Sequence, residues 1–410
     1  MKKKTLWTRN YTTVFLATVF GCIGGIMSGF ALSFTVFEET SSTLAAALTV
    51  ALRLIPGFLI PLLISPIMDR LPRKPFLVGA DIVGTGLYLV AGLWLKRHEF
   101  DYVLYLIASL LISAVGSFDE LSYNAIFPKV IPAGMEEKGY AVSSMLYPML
   151  SVILMPLSAV AYKTLGLANI LLIQSGLSFL ATATESTIRI REEIKPGTRF
   201  SPRQWWQDIR EAAAYFKREK GLTAMTVYSG TSNGFFSGYE PLLVAFFSTA
   251  PGLNAMLYGF FTVAEFIGRT VGGFLMVKRE IPKEKKYGYA LSVYLFYDSM
   301  DACLLWLPYP LMLVNRCVCG FLGIQSGTMR YAATQKYIPD DMRARVNAFQ
   351  SMAFLLFSAV LSLFVGWMGE IMDYRLVMTV CGAASILVCL LTIVRQKSFV
   401  EKIYLTERNH

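Results

Sequence analysis

Apolar runs of about twenty residues recur along the whole chain, and each is long enough to cross the ~30 Å hydrocarbon core of a bilayer as a helix. Only 16% of the 410 residues are charged, whereas 55% are hydrophobic. A soluble chain of this length needs more charge to cover its surface. The sequence therefore predicts an all-α membrane protein that crosses the bilayer many times.

We predict twelve transmembrane helices in two pseudo-symmetric bundles of six. A charged stretch divides the chain, giving a first bundle over residues 1–188, a linker over 189–220, a second bundle over 221–396 and a cytoplasmic tail over 397–410. The predicted spans lie near residues 11–37, 42–68, 75–95, 102–127, 139–162, 165–184, 222–247, 253–276, 287–307, 311–333, 346–367 and 376–393.

The linker carries its own helix signal. Ser201 is suited to cap a helix that has Pro202 at its first position. Trp205, Ile209 and Phe216 then recur at helical spacing, opposite a charged face. This pattern predicts an amphipathic helix that lies in the membrane interface and connects the halves.

The Lys and Arg residues of the loops fall on one side of the predicted topology. They lie in the turn 68–74, the linker, and the loops 278–286 and 336–345. Cytoplasmic loops carry an excess of Lys and Arg, so we expect both termini to be cytoplasmic and the protein to lie in the cell (cytoplasmic) membrane. The same bias accounts for the net charge of +10, and no basic face of the kind that binds nucleic acid is visible.

The residues that enzymes and metal sites use are scarce. The two histidines, His98 and His410, lie in a loop and at the tail, and the six cysteines all fall within apolar runs. No His or Cys cluster has the spacing of a metal site, and no span offers a His as a base. The sequence predicts neither catalysis nor a metal or other cofactor.

The second half of the chain repeats a pattern of the first. Ile131-Pro132-x-x-Met135 recurs as Ile338-Pro339-x-x-Met342 at the same topological place. Two six-span halves of one chain are a recognised plan of transporters.

The turn 68–74 resembles the loop between spans two and three of the major facilitator superfamily, G-x-x-x-D-R-x-G-R-R/K. Ser65 and Pro72 stand where that family has glycine, and the motif is matched by Asp69, Arg70, Arg73 and Lys74. The repeated Ile-Pro junctions are similar to those of its macrolide-efflux-like branch. The resemblance implies the major facilitator fold and transport by alternating access.

Two departures from the family leave proton coupling open. Antiporters of the family often carry G-P-x-x-G-G in span five, and here only Pro156 stands. Proton-coupled members often carry R-x-x-Q-G in span four, and this fourth span has no Arg.

Ionisable groups at membrane depth are costly, so they are the first candidates for function. Arg53 lies near the middle of span two, where it either faces a cavity or is buried for packing alone. Glu265 holds the corresponding place in span eight, one helical turn from Arg269. That pair either neutralises itself or serves the transport pathway.

Further candidates for the substrate or proton pathway lie in spans four and seven. Asp119 and Glu120 are neighbours and so point about 100° apart on a helix. The remaining pathway candidates are Asn124, Asn233, Tyr239 and Glu240.

Asp301 and Arg316 lie at matching depth on neighbouring spans, which predicts a structural ion pair.

The resemblance also implies a cytoplasmic gate. Asp69 would meet Arg343 or Arg345, or the positive N-terminus of span eleven. The symmetric contact would join basic residues before span nine to acidic residues before span five. These are Lys283, Lys285 and Lys286 on one side, and Glu136 and Glu137 on the other.

Small residues at intervals of four let helix backbones approach closely. The spacing therefore predicts close packing at three glycine pairs or stripes. These are Gly21, Gly25 and Gly29; Gly268 and Gly272; and Gly323 and Gly327.

These observations favour a monomeric secondary active transporter, surrounded by membrane lipids, that exports an amphipathic organic small molecule, with proton exchange left open. Uptake of an anionic metabolite at Arg53 and movement of a lysophospholipid are alternatives within the same class. A membrane sensor that transports nothing is the alternative from another class.

Overall fold

The computed structural model describes residues 5–68, 73–132, 134–189, 202–278, 281–339 and 342–406. Within these residues all regular structure is helical, which confirms the predicted all-α fold. Seven of the described helices are long and apolar enough to cross a membrane. The number of twelve spans stays a prediction.

The described residues of the first half form five helices, of which the last joins two predicted spans. Gly166, with φ of 73°, interrupts α5 close to the predicted junction, and glycine adopts this left-handed conformation without a steric penalty. We call residues 167–186 the second arm of α5. The helices are α1 (Arg9–Thr40), α2 (Thr43–Met68), α3 (Arg73–Leu95), α4 (Tyr102–Val130) and α5 (Glu136–Ser186).

In the part of the second half that the structure describes there are eight further α-helices. A 3-10 turn, Leu304–Trp306, follows α9, and a π-helical turn, Leu390–Val394, follows α12. The helices are α6 (Pro202–Arg218), α7 (Lys220–Thr249), α8 (Ala255–Lys278), α9 (Lys283–Cys303), α10 (Tyr309–Tyr337), α11 (Arg343–Ile371), α12 (Tyr374–Cys389) and α13 (Lys397–Leu405).

The helices group into two compact units. The first unit contains α1, α2 from Leu52 onward, α3 to α5, and the short segment Asn254–Gly259 at the start of α8. The second unit contains Ser42–Ala51 at the start of α2, together with α6, α7, the rest of α8 and all later helices.

In the first unit α1 packs along both arms of α5. Near its start the Tyr11 hydroxyl donates a hydrogen bond to the main-chain oxygen of Gly139 over 3.1 Å. Further along α1, the fully buried Ala31 packs against Ile170 and Leu171 of the second arm. These apolar side chains pack closely in one core. Their packing holds in place the helices that carry the candidate residues.

The structure places a helix, α6, within the predicted linker. Its apolar face packs on the second unit, where the Phe216 ring lies 4.9 Å from that of Phe349 in α11. The opposite face leaves Arg203 and Trp206 exposed. The proposed cap, Ser201, lies outside the described residues.

The tail contains a helix that the sequence pattern did not reveal. Val400, Ile403 and Tyr404 of α13 are buried in the core of the second unit. The Tyr404 hydroxyl lies 3.0 Å from that of Tyr294, and burial raises the pKa of the Tyr404 phenol well above its ordinary value. Residues 397–405 are therefore part of the folded unit and not only a tail.

The glycine prediction holds for α8 and fails for α1. A Cβ atom on Gly268 would lie 1.9 Å from the main-chain oxygen of Cys317 in α10, and one on Gly272 would lie 2.5 Å from that of Phe321. A Cβ atom on Gly21, Gly25 or Gly29 would meet no described atom within 4 Å. The α1 stripe borders open space, so its spacing reflects the shape of a cavity wall and not helix contact. In the third pair a Cβ atom on Gly323 would lie 3.3 Å from the Tyr297 ring, whereas one on Gly327 would meet no described atom within 4 Å.

We expect Gly268→Ala to lower the thermal unfolding midpoint of the purified protein, because the main-chain oxygen of Cys317 cannot rotate away. Overpacking of this kind costs about 1–3 kcal/mol. Gly273→Ala is the matched control, since its Cβ would meet nothing within 4 Å. Equal midpoints for the two variants would contradict close packing of α8 on α10.

The start of α2 is capped by a side chain from another helix. Oε1 of Glu370, at the end of α11, accepts hydrogen bonds from Ser42 Oγ over 2.8 Å and from the Leu44 main-chain nitrogen over 2.9 Å. The first main-chain N–H groups of a helix have no partner within it, and a carboxylate also complements the helix dipole. Glu370 thereby anchors residues 42–51 in the second unit.

Replacement of this cap should loosen the first turns of α2. We expect Glu370→Ala to cost about 1 kcal/mol locally, as loss of an N-cap does, and to speed hydrogen exchange of the amides in residues 43–47. Glu99→Ala removes an exposed glutamate elsewhere and should leave their exchange unchanged. Mass spectrometry of the exchanged peptides measures both variants; unchanged exchange in Glu370→Ala would remove the assigned capping role.

Candidate functional site

The first unit contains a partly open cavity of about 400 Å³. Its walls come from α1, α3, α4 and the second arm of α5, with one residue from α2, and most of the wall is hydrocarbon. Gly25 and Gly29 of α1 border it, which explains why their faces meet open space. The larger apolar lining residues include Leu32, Leu87, Trp94, Leu104, Ile112 and Leu171.

Arg53 contributes the only basic side chain among the described residues that line the cavity. Its main-chain oxygen accepts a hydrogen bond from Ser113 Oγ of α4 over 2.7 Å, which fixes this turn of α2 beside α4. The one acidic lining residue, Asp101, accepts a hydrogen bond from the Leu104 main-chain nitrogen over 2.8 Å and so caps α4. The structure therefore places Arg53 at a cavity, as one of its two sequence interpretations expected.

Two neutral polar side chains lie in the same cavity. Tyr88 of α3 and Ser28 of α1 lie near each other, and both line the wall with Arg53. A guanidinium presents several fixed donors to an anionic group. A concave, mostly apolar site with a few convergent polar groups is the usual form of a small-molecule site.

In α4 the neighbouring acids diverge, as their spacing predicts. Asp119 is half-buried, whereas Glu120 and Asn124 are exposed. Asp119 lies with Asp81 of α3 and Glu185 of the second arm of α5, and one carboxylate oxygen from each lies within 4.8 Å of the others.

The sequence reasoning missed Asp81 and Glu185. A signal for both existed, because each is an acidic residue within or at the end of a predicted apolar span. The rule that selected Asp119 applies to them as well. Only the packing of α3, α4 and α5 shows that the three acids lie together.

In the second unit Glu265 and Arg269 pair with each other over 2.7 Å, one helical turn apart on α8. This geometry favours the reading in which the pair neutralises itself. On α7, Tyr239 is buried, and Asn233 and Glu240 are exposed. Asn233 Nδ2 donates to the main-chain oxygen of Ser229 over 2.6 Å.

The predicted ion pair between Asp301 and Arg316 is confirmed. The two side chains bond directly, and they are 5% and 1% exposed. Asn315 Oδ1 also accepts a hydrogen bond from the Arg316 guanidinium. Near this pair, the Tyr228 hydroxyl donates to Oδ2 of Asp298 over 3.1 Å, which gives the buried Asp298 a partner.

Much of the predicted cytoplasmic gate lies outside the described residues. Asp69 and Arg70 do, and so do the side chains of Glu136, Glu137 and Lys283. Arg73 and Lys74 lie in the first turn of α3, and Lys285 and Lys286 in that of α9. The gate stays a prediction.

The described gate residues have partners of their own. Lys74 Nζ donates to the main-chain oxygen of Ser186 over 2.7 Å. Arg345 pairs with Glu211 of α6 over 2.8 Å. Arg343 donates to the main-chain oxygen of Ile338 over 3.5 Å.

Comparison of the sequence with known families identifies this arrangement. The profile of the Major Facilitator Superfamily matches residues 14–297, which is more than half of the chain. The chain belongs to the major facilitator superfamily. Members of this superfamily are multi-pass membrane transporters, and the resemblance seen in the turn 68–74 is confirmed.

Two curated relatives are similar at low identity. The "Uncharacterized MFS-type transporter YkuC" of Bacillus subtilis (strain 168) is 22% identical over 374 residues, which are 87% of this chain and 84% of YkuC. "Macrolide efflux protein A" of Streptococcus pyogenes is 21% identical over 225 residues. The matched region spans about half the length of this second relative, 55%.

Among solved structures, the peptide transporter POT in complex with alafosfalin is similar, with a TM-score of 0.71 and 13% identity. The match covers 98% of this chain and 97% of that one. The likeness establishes the major facilitator fold for this protein.

We expect removal of one partner of the buried ion pair to destabilise the protein strongly. Asp301→Asn leaves the Arg316 charge buried without a counter-ion, which costs about 3–5 kcal/mol. The double variant Asp301→Leu with Arg316→Met should recover most of this loss, because two apolar groups need no counter-charge. Thermal unfolding of the purified variants measures both; a double variant no more stable than Asp301→Asn would contradict a purely structural pair.

Proposed function

We propose that this protein is a secondary active transporter that exports an amphipathic organic solute across the cytoplasmic membrane by alternating access. The observation that carries the proposal is the cavity of the first unit, with its hydrocarbon walls and its single guanidinium. The expected substrate has an apolar body and an anionic group.

The chemistry of the cavity supports this substrate class. Hydrocarbon walls favour an apolar body by removing it from water. Arg53 is held at membrane depth, where a charge is costly and is usually retained for function. A bound anionic group would compensate that charge and orient the solute, whereas a wholly apolar solute would leave the guanidinium without an anionic partner.

The direction of transport rests on the likeness to Macrolide efflux protein A, whose name describes an exporter. Asp119, Glu240 and Glu265 are the acids that we propose for proton exchange, since each is a carboxyl on a predicted membrane span. We further propose that the protein acts as a monomer with both termini in the cytoplasm.

A lysophospholipid is a second candidate substrate, and one observation favours it. Its acyl chain and single phosphate match an apolar cavity that contains one basic side chain. A lipid and a free organic anion would use the same groups of the cavity, so the choice between them belongs to the experiment.

We expect Arg53→Ala to weaken binding of anionic amphiphiles about tenfold or more, because hydrogen bonds to charged groups contribute about 1.5–3 kcal/mol. A bile acid and a lysophospholipid are suitable anionic probes. Thermal shift of the purified protein reports their binding, since a ligand of the folded state raises the unfolding midpoint. Arg53→Lys keeps the charge but not the planar fork and should fall between wild type and Arg53→Ala.

Arg97→Ala is the matched control, because it removes an exposed Arg from the loop after α3. Transport is then measured in proteoliposomes with and without an imposed proton gradient. Export of the bound probe, lost in Arg53→Ala and kept in Arg97→Ala, supports the proposal. Binding and transport that are equal in wild type and Arg53→Ala would overturn it, and gradient-driven uptake would reverse the proposed direction.

A further inference from the structure

The acidic cluster of the first unit is not part of the Arg53 cavity. Asp81 on α3, Asp119 on α4 and Glu185 at the end of the second arm of α5 each direct one carboxylate oxygen to a common point, with these oxygens within 4.8 Å of one another. None of the three lines the cavity that contains Arg53. The cluster therefore requires an explanation of its own.

One oxygen of this cluster receives no donor from outside the cluster. Glu185 is 6% exposed, its carboxyl lies within hydrogen-bond reach of that of Asp81, and no amide, hydroxyl, Lys or Arg in the described part of the chain donates to its Oε2. A carboxylate oxygen that leaves water normally receives a hydrogen bond or a cation. This buried oxygen belongs to the group that converges with Asp81 and Asp119.

The described basic residue near the cluster, Lys74, donates to a main-chain oxygen and not to one of the three carboxylates. Among the described residues none of the three carboxylates forms an ion pair with Lys or Arg. Lys74, which is close to Glu185 in the fold, directs Nζ to the main-chain oxygen of Ser186. Carboxylates this close together in a low-dielectric interior cannot all ionise unless a cation joins them.

The ligand atoms indicate which cation would fit. Carboxylate oxygens are hard ligands, and they bind Na⁺, Mg²⁺, Ca²⁺ or Mn²⁺ in preference to soft metals. In a site with metal–oxygen distances of about 2.3–2.6 Å, oxygens on opposite sides of the ion lie about 4.6–5.2 Å apart. The three oxygens here lie within 4.8 Å of one another, which is close enough for one ion to reach all three.

We propose that Asp81, Asp119 and Glu185 form a binding site for a hard metal cation within the first unit. The three residues come from three different helix segments, so the bound ion would cross-link α3, α4 and the second arm of α5. Carboxylates bind a metal in their deprotonated form, so the metal competes with protons and its affinity should rise with pH.

A role for this ion in coupling rests on the proposed transport function, whereas the binding site itself does not. α3, α4 and the second arm of α5 also form walls of the Arg53 cavity. An ion that draws these three segments together would act on the same helices that surround the solute.

The test uses the full chain in lipid nanodiscs, stripped of metal with a chelator. Ca²⁺, Mg²⁺, Mn²⁺ and Na⁺ are titrated separately by calorimetry, in two buffers of different ionisation enthalpy so that released protons are counted. We expect one of these ions to bind with a single saturable site and with proton release. The same ion should raise the thermal unfolding midpoint of the wild-type protein.

Asp81→Asn, Asp119→Asn and Glu185→Gln should each weaken this binding at least tenfold, whereas Glu99→Gln, which removes an exposed acid of the same unit, should not. Wild-type protein that binds none of the four ions would overturn the proposal, and the cluster would then bind protons only. Binding that persists in all three variants would overturn it as well. If a variant does not fold, the wild-type binding, proton release and thermal shift still decide the outcome.

Arg53→Ala separates this proposal from the transport function. It should leave cation binding unchanged while it weakens binding of the amphiphile. Cation binding without solute transport would support the site and contradict the proposed function, whereas solute transport without cation binding would do the reverse.

Discussion

A bilayer core supplies no water, so every polar group placed there must find its partner within the protein. The main chain meets this constraint by forming helices, and ionisable side chains meet it by pairing. Asp301 pairs with Arg316 and Glu265 with Arg269, while Asp298 receives the hydroxyl of Tyr228. These second-unit acids have their partners inside the protein, and the two pairs couple an acid with a base.

In the first unit the described ionisable groups Arg53, Asp81, Asp119 and Glu185 do not form acid–base pairs of this kind. Arg53 faces a cavity with hydrocarbon walls, and Asp81, Asp119 and Glu185 face one another without a described basic partner. Groups left in this state at membrane depth are costly. Our two proposals assign their counter-charges to molecules from outside the chain, an organic anion at Arg53 and a hard cation at the acidic cluster.

Both proposed sites depend on the same three helix segments. α3, α4 and the second arm of α5 contribute the acids of the cluster and much of the cavity wall. The break at Gly166 is what returns the chain so that the second arm can pack beside α3. Because of this glycine, α5 consists of two arms, which correspond to the predicted spans five and six.

Much of the fold could be predicted because hydrophobicity and charge act locally. The lengths of the apolar runs determined the helices, the turn 68–74 indicated the family, and matching depth indicated the pair of Asp301 with Arg316. The glycine stripe of α1 shows the limit, since its spacing is the same whether the face meets a helix or a cavity. Helix α13 shows another limit, because whether a short amphipathic segment forms a packed helix depends on the core that is available to it.

The sequence by itself determined which residues are ionisable at membrane depth, since that follows from their place in an apolar run. Only the tertiary structure decided which of them meet. Asp119 joins Asp81 and Glu185 across three segments, while its neighbour Glu120 faces away. The reason is geometric: adjacent residues diverge on a helix, and distant ones converge only when helices pack.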